Sequence, residues 1–282
     1  MAAFFNQATL SYNGVVTRSN IAAGELLEAL TVAKTALSDT YAVGGNETYV
    51  VSLVNTGTAP LTGITLTDDL GGYPFGESTV VPLAYVDGSA RYYVNGVLQP
   101  APAVTAGPPM TVSGLSVPAA GSAMLVYETQ VTPFASPETG ATVVNTVTVG
   151  GTAPVSAAAT VTAAAGPVLS VSKAISPDPV MAGERVSYTF TLHNTGNAPA
   201  DATDNAVITD VFDPRLSDLA VTFDGAPWSE GAQYAYDPDT GLFATAAGQI
   251  TLPAATYTQD PDTGAWQTAP GVATLTVSGV IG

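Results

Sequence analysis

Two long stretches of this chain are similar to each other at a constant spacing of 139 residues. The stretch LTVAKTALSDTYAVGGNETYVVSLVNTGTAP begins at Leu30, and the stretch LSVSKAISPDPVMAGERVSYTFTLHNTGNAP begins at Leu169. Both have a lysine shortly after the first leucine, and both end with Asn-Thr-Gly close to Ala-Pro. Self-similarity at a single spacing is typical of tandem structural repeats. We therefore expect two related domains.

The similarity continues towards the N-terminus at the same spacing. The stretch FNQATLSYNG resembles VNTVTVGG, with Asn6 in the position of Asn145. At the other end, GVATLTVSGVIG matches GSAMLVYETQVT, which precedes the final strand pair of the first repeat. The second repeat is therefore expected to lack that strand pair, and the N-terminus to carry a further copy of it. We predict an N-terminal donor strand segment, a first β-sandwich repeat and a second β-sandwich repeat without its last strands, at residues 1–28, 29–166 and 167–282.

The pattern of apolar residues predicts an all-β chain. Apolar and polar residues alternate along both repeats, as in strands with one buried face. The 28 glycines and 21 prolines indicate many turns, and Asn13-Gly14 after an alternating run is a strong hairpin signal. We predict two tandem Ig-like β-sandwich domains, preceded by an N-terminal donor strand or hairpin segment.

The composition excludes several classes of function. The net charge is −17 with only six lysines and arginines, so nucleic acid, which is rich in phosphate, is a poor partner. The chain has no cysteine, which excludes disulfides and thiolate metal sites. No apolar run is long enough for a transmembrane helix, and no signal peptide is visible. We predict a protein that is not an enzyme and that has no membrane span, no metal site and no cofactor.

The strand pair that the second repeat lacks suggests how the chain associates. A sandwich without its last strands has open sheet edges and an exposed core. We predict that the N-terminal strand fills this gap in a neighbouring molecule, which gives an open head-to-tail homopolymer. In the alternative, the strand closes on its own molecule, and the chain is a monomeric cell-surface adhesin or carbohydrate-binding module. No receptor follows from the sequence. The donor face consists of Phe4, Asn6, Ala8, Leu10 and Tyr12.

Both repeats resemble a family of bacterial surface repeats. The motifs are LSVSK, VSYTFTLHNTGNAPA and ITD in the second repeat and VVNTVTV at the end of the first. With the Asn-Thr-Gly triplets at Asn55 and Asn194, they resemble the "domain of unknown function eleven" family of Ig-like or prealbumin-like sandwiches. The resemblance implies a structural role outside the cell, at a cell or spore surface, and no catalysis. The chain differs in having no visible leader, wall-sorting signal or long array, which fits a small self-assembling subunit such as that of a spore appendage.

Strand parity places a lysine, an aspartate and an asparagine of each repeat on core-facing sides. Lys34, for example, shares a side with Leu30 and Val32, because alternate residues of a strand share a face. A polar side chain in such a position is costly unless it is paired. The residues in question are Lys34, Asp68 and Asn145 in the first repeat, Lys173 and Asp210 in the second, and Asn6 in the N-terminal segment.

Two interpretations of these residues remain open. In the first, a neutral lysine attacks the asparagine amide, the aspartate shuttles protons, ammonia leaves and an isopeptide bond forms. This arrangement resembles the cross-linked domains of Gram-positive pili. The bond would be internal in the first repeat, whereas Lys173 of the second repeat would form its bond with Asn6 of an incoming molecule. In the second interpretation, the lysine and aspartate of each repeat form only a salt bridge, and the asparagine bonds to the backbone.

Overall fold

The computed structural model of this chain describes residues 2–26, 29–150 and 154–282, and strands and turns make up nearly all of them. The only helix in these ranges is a short 3-10 helix at Ala202–Asp204. The prediction of an all-β chain is confirmed. The exact boundaries of the predicted domains stay a prediction. Two compact units, called unit one and unit two, comprise Met1–Thr132 with Val143–Val161, and Pro133–Thr142 with Thr162–Gly282.

Residues 2–26 form an antiparallel two-stranded ribbon, called the N-terminal ribbon. Its strands are β1 (Ala2–Asn6), β2 (Thr9–Tyr12), β3 (Val15–Arg18) and β4 (Ala22–Leu26). β1 pairs with β4 and β2 pairs with β3, and none of these four pairs with another strand in the described part of the chain. Asn13 and Gly14 both have positive φ, as the tight turn between β2 and β3 requires. The hairpin predicted from Asn-Gly is confirmed.

Two six-stranded sheets and a separate two-stranded sheet of β9 and β10 build the remainder of unit one. The first has the order β13-β12-β16-β7-β5, with β11 also paired to β16, and the second has the order β14-β15-β8-β17-β18-β6. The strands are β5 (Leu30–Ala36), β6 (Thr40–Tyr41), β7 (Asn46–Asn55), β8 (Leu61–Asp68), β9 (Tyr73–Phe75), β10 (Ser78–Val80), β11 (Leu83–Tyr85), β12 (Arg91–Val94), β13 (Val97–Leu98), β14 (Ala103–Thr105), β15 (Met110–Val117), β16 (Ser122–Val131), β17 (Thr142–Val149) and β18 (Val155–Ala163).

The two six-stranded sheets of unit one pack face to face as a β-sandwich. Alternate residues of β7, including Val51 and Leu53, are buried, and so are alternate residues of β8, including Leu66. Contacts between the sheets include a hydrogen bond of 2.8 Å from the Ser116 backbone amide to the Tyr92 hydroxyl. The period of two in the sequence therefore corresponds to the buried faces of the sandwich.

Unit two has one five-stranded sheet, in the order β19-β20-β28-β22-β23, a three-stranded sheet in the order β21-β25-β24, and a two-stranded sheet of β26 and β27. Its aromatic core includes Phe212 and Phe243. The strands are β19 (Leu169–Ser176), β20 (Arg185–Asn194), β21 (Thr209–Val211), β22 (Leu216–Phe223), β23 (Ala226–Trp228), β24 (Tyr234–Tyr236), β25 (Leu242–Thr245), β26 (Thr256–Gln259), β27 (Trp266–Ala269) and β28 (Gly271–Ile281).

The two units differ at one sheet edge. In unit one, β8 lies between β15 and β17. Its counterpart in unit two is β21, which carries Asp210 after Thr209 as β8 carries Asp68 after Thr67. Over the residues that the structure describes, β21 pairs with β25 alone. All eight residues of β19 are exposed, whereas the equivalent β5 is partly buried. The place that β17 and β18 occupy in unit one is thus open in this part of unit two.

Candidate functional sites: a buried lysine cluster and its open counterpart

Lys34 and Asp68 form a fully buried ion pair in unit one. Lys34 Nζ donates to Asp68 Oδ2 at 2.6 Å, and both side chains are 0% exposed. β5 supplies the lysine and β8 the aspartate, so the pair joins the two sheets across the core. The hydroxyl of Tyr127 donates to the same carboxylate oxygen. The parity argument therefore placed both residues correctly on core-facing sides.

Two stacked tyrosines surround the lysine amine. Lys34 Nζ lies 4.8 Å from the centroid of the Tyr49 ring and 5.8 Å from that of Tyr127. The ring centroids are themselves 5.8 Å apart. Burial lowers the pKa of Lys34, and the nearby carboxylate of Asp68 opposes this shift. A lowered pKa makes more of the neutral amine available, and only the neutral amine has a lone pair for attack on a carbonyl carbon.

Asn145 lies in the same buried region without a hydrogen-bond partner. Its side chain on β17 is fully buried, and neither Oδ1 nor Nδ2 has a partner. Burial raises the pKa of Tyr49 and Tyr127, and the Asn145 amide counteracts both shifts. The amide therefore lies close to both phenols but not in hydrogen-bond geometry. The salt bridge of the second interpretation is present, whereas its backbone bond to the asparagine is not.

Glu47 is a second buried carboxyl group in unit one. It is almost fully buried on β7, and its Oε2 atom has no hydrogen-bond partner. Burial raises the pKa of Glu47. At the repeat spacing its counterpart in unit two is Val186, which is fully buried. Unit one therefore has a buried carboxyl group at a position where unit two has a valine.

Tyr49, Tyr127 and Glu47 are not among the site residues predicted from the sequence. Tyr49 recurs as Tyr188 at the spacing of 139 residues and stands on a core-facing side, so the repeat itself contained a signal for it. Tyr127 has no such signal, because its place depends on the register in which β16 pairs with β7. That register sets Tyr127 directly opposite Tyr49.

In unit two, the equivalent ion pair is open to solvent. Lys173 Nζ bonds to the Asp210 carboxylate, and the two side chains are 40% and 20% exposed. Three ring centroids, those of Tyr188, Phe190 and Phe212, lie 4.6, 5.4 and 5.3 Å from the amine. Lysine, aspartate and aromatic rings are thus already together, but no asparagine of the described residues is placed as Asn145 is in unit one.

One residue of the unit-one cluster has no polar counterpart in unit two. Tyr188 corresponds to Tyr49, and the residue opposite Tyr188 is Val277. Tyr127 therefore corresponds to a valine that is fully buried. The Asp210 carboxylate accepts hydrogen bonds from the lysine amine and from the Val211 backbone amide. No tyrosine hydroxyl among the described residues donates to it.

The N-terminal ribbon exposes the face whose counterpart is buried in unit one. At the repeat spacing, Ala8 and Leu10 correspond to Val147 and Val149, which are buried on β17. In the ribbon Asn6, Ala8 and Tyr12 are exposed, and Leu10 is 61% exposed. The side chain of Phe4 lies outside the described ones. An exposed apolar strand face of this kind is characteristic of a surface that binds another protein segment.

The described residues contain neither a cluster of metal-binding side chains nor a helix that could span a membrane. In those ranges, no three His, Asp or Glu side chains come together in a way that could hold a metal ion. No helix there is both long and apolar enough to cross a membrane.

No protein-family model matches this chain, and no curated protein matches it. Distantly similar solved structures include the major pilin subunit of Bacillus cereus, at 10% identity and a TM-score of 0.35, over 96% of this chain and 73% of the pilin. The pilus backbone protein of Streptococcus pneumoniae has 13% identity and a TM-score of 0.34, over 86% of this chain and 55% of its own. The collagen-binding domain of a Staphylococcus aureus adhesin has 13% identity and a TM-score of 0.31, over 49% of this chain and 99% of its own. Similarities at this level are too distant to assign a function.

Proposed function

We propose that this chain is a structural subunit of an extracellular bacterial filament, of the pilus or spore-appendage kind. The N-terminal ribbon of one molecule inserts beside β21 in unit two of the next. The observation that carries this proposal is the open edge of β21, at the place that β17 fills in unit one. The ribbon is a sequence copy of the strands that fill it there. The resemblance to the "domain of unknown function eleven" family supports a surface location and a structural role.

The pairing in unit one specifies the register of insertion. There, Val147 stands opposite Asp68 and Thr148 opposite Thr67. Transferred to unit two, Ala8 stands opposite Asp210 and Thr9 opposite Thr209. Asn6 then takes the position that Asn145 has on β17, two residues before the residue opposite the aspartate.

The proposed contact leads to an open assembly. Donor and acceptor are different surfaces of the molecule, so the contact is heterologous and leaves one free donor and one free acceptor after every addition. Main-chain hydrogen bonds along the edge of β21 supply affinity, and the apolar donor face supplies specificity. A ribbon that inserted into its own molecule would instead give a closed monomer, as the adhesin alternative requires.

We propose further that isopeptide bonds lock the assembled subunits. In unit one, Nζ of Lys34 bonds to Cγ of Asn145, and the Cγ–Nδ2 bond breaks. Asp68 takes a proton from the amine and passes it to the departing nitrogen, so one ammonia leaves and no oxidant is needed. The buried ion pair and the buried amide without a partner support this chemistry. In unit two, Lys173 and Asp210 act on Asn6 of the neighbouring molecule.

An engineered disulfide tests the insertion, because the chain has no cysteine of its own. Thr9→Cys with Thr209→Cys places two thiols directly opposite each other in the proposed register. The equivalent residues, Thr148 and Thr67, are half-buried on the outer side of the sheet, so the core is left unchanged. Val16→Cys with Thr209→Cys is the control, since Val16 belongs to the other strand of the ribbon.

Three outcomes distinguish the proposal from its alternative. Both cysteine pairs are introduced together with Lys173→Arg, which removes the reactive amine. The pair Thr9→Cys with Thr209→Cys should then give a ladder of disulfide-linked oligomers on a non-reducing gel. The control pair should not. A monomer with an internal disulfide would overturn the polymer in favour of self-closure. Free thiols in both variants under oxidising conditions would overturn insertion altogether.

A further inference from the structure

The equivalent lysine–aspartate pairs of the two units differ in their exposure to solvent. Lys34 and Asp68 are both 0% exposed, whereas Lys173 and Asp210 are 40% and 20% exposed. The strands around the two pairs are otherwise alike, since β5 pairs with β7 as β19 pairs with β20. We ascribe the difference to β17 and β18, which extend the sheet of Asp68 in unit one and have no counterpart among the described residues of unit two.

The surroundings of Lys173 favour the charged ammonium while the site is open. A carboxylate is bonded to the amine, and the faces of Tyr188, Phe190 and Phe212 are all within cation–π range. Water reaches the amine as well, and hydration stabilises the charged form. An ammonium has no lone pair, so Lys173 cannot attack an amide in this state.

We propose that insertion of the ribbon is the switch that makes Lys173 a nucleophile, so that the unit-two site stays inert until a subunit has docked in register. The inference rests on the proposed function. The incoming strand brings the Asn6 amide, and its Ala8 and Leu10 side chains exclude water from the ion pair. Removal of water penalises separated charges in an apolar site, and the proton moves from the amine to Asp210. Lys34 provides the internal reference, because burial lowers its pKa in the covered site.

The step balances without an added reagent. Asp210 accepts one proton from the ammonium, and Nζ bonds to Cγ of Asn6 as the Cγ–Nδ2 bond breaks. The proton held by Asp210 goes to the departing nitrogen, which leaves as ammonia, and the Asp210 carboxylate then takes the second proton that Nζ loses as the new amide forms. Asp210 and Tyr188 are the titratable groups that contact the amine from the neighbouring strands of the described unit. Because Val277 and Val186 replace the tyrosine and glutamate of unit one, Asp210 has to carry this proton alone.

The two lysines of the chain allow a direct measurement of the charge on the amine. The acceptor is the full chain with Ala8→Asp and Leu10→Asp, which leaves unit two open because its own ribbon cannot enter an apolar groove. Both side chains are exposed in the ribbon, so the folded units are not disturbed. With isotope-labelled lysine, NMR shows one signal from Lys34 and one from Lys173. The donor is a synthetic peptide of residues 1–26, used with the natural sequence or with Asn6→Ala.

Each arm has one expected result. Without peptide, Lys173 should give an ammonium signal at neutral pH. The Asn6→Ala peptide should bind, form no bond and convert that signal to that of a neutral amine. The natural peptide should add its mass less one ammonia. Binding of the Asn6→Ala peptide with the ammonium unchanged, or a neutral amine before any peptide is added, would overturn the switch alone. Failure of both peptides to bind would overturn the proposed function and the switch together.

Discussion

The amine of Lys34 lies 2.6 Å from the carboxylate of Asp68, in a part of unit one where neither side chain is exposed. Two charges without water are unfavourable unless each is well paired, and this pair is supported by two further hydrogen bonds to Asp68, from the Tyr127 hydroxyl and the Leu70 backbone amide. Transfer of the proton from lysine to aspartate removes both charges. The same transfer would give a neutral amine in the buried region that also holds the amide of Asn145.

The intact mass tests the internal bond. Purified protein should be lighter than its sequence by one ammonia, because the Lys34–Asn145 bond forms within unit one. Asn145→Ala should have the full mass of its sequence and should unfold more easily, by roughly 2–5 kcal/mol if the bond acts as a disulfide does. Asn46→Ala, which changes an exposed asparagine, is the control. A natural chain at its full sequence mass would leave the buried salt bridge as the only interaction at this site.

Two tyrosine substitutions should separate positioning from packing. Tyr127→Phe keeps the ring but removes the hydroxyl that donates to Asp68, which costs about 1.5–3 kcal/mol for a hydrogen bond to a charged group. It should also slow the loss of ammonia after refolding, followed by mass spectrometry. Tyr49→Phe removes a hydroxyl that has no partner, so its effect should be smaller. Equal rates in the two variants would contradict a positioning role for the Tyr127 hydroxyl.

Stability should depend on pH through Glu47. Burial raises the pKa of this carboxyl above its ordinary value of 4.5. Between the unfolded and folded pKa values the folded chain binds more protons, so the free energy of unfolding falls as pH rises through that window and stays lower above it. Glu47→Gln should match the natural chain near about pH 4 and be more stable near about pH 7.

Denaturant unfolding at several pH values measures this difference. Glu128→Gln is the control, because Glu128 is exposed on β16. If Glu47→Gln and the natural chain lost stability in parallel across the whole range, Glu47 would not be the group that titrates.

A charge on the donor face should prevent assembly. Leu10→Asp places a carboxylate where Val149 is buried in the equivalent strand, and burying an unpaired charge is strongly unfavourable. Monomers should then predominate in light scattering and in negative-stain micrographs. Thr9→Asp is the control on the opposite side of the same strand, where Thr148 is only half-buried, and it should still assemble. Filaments of normal length from Leu10→Asp would rule out this face as the donor.

Hot detergent should distinguish docking from covalent locking. Filaments of the natural chain should survive boiling in detergent as a ladder of covalent oligomers, although the chain has no cysteine. Asn6→Ala should still form filaments, but these should dissolve to monomers because no amide meets Lys173. Gln7→Ala is the matched control, since it removes an amide from the neighbouring position. Natural filaments that dissolve completely would restrict the contact to non-covalent insertion.

Mixing two full-length variants should give one defined product. Asn6→Ala retains the lysine of the acceptor, and Lys173→Arg retains the amide of the donor. Either variant alone lacks half of the intermolecular site, whereas the mixture should yield covalent dimers and no longer ladder. Dimers from Lys173→Arg alone would show that another amine takes part.

Local patterns in the sequence were sufficient for the fold class and for the side on which the three candidate residues of unit one stand. Strand alternation has a period of two residues and needs no knowledge of neighbouring strands, so it placed Lys34, Asp68 and Asn145 on core-facing sides. The hairpin at Asn13-Gly14 was equally local, because positive φ at two successive residues is a property of the turn itself. The repeat spacing depends only on comparison of the chain with itself.

Tertiary structure decided which of these residues meet, and in what surroundings. Tyr127 reaches Asp68 only because β16 pairs with β7 in one register and the two sheets then pack face to face. Neither the register nor the packing is encoded within a single strand. Solvation was decided in the same way: Lys34 and Lys173 occupy equivalent positions in sequence, yet only the side chain of Lys34 is fully buried. Burial depends on strands distant in the chain, which is why sequence alone left both the salt bridge and the isopeptide bond open.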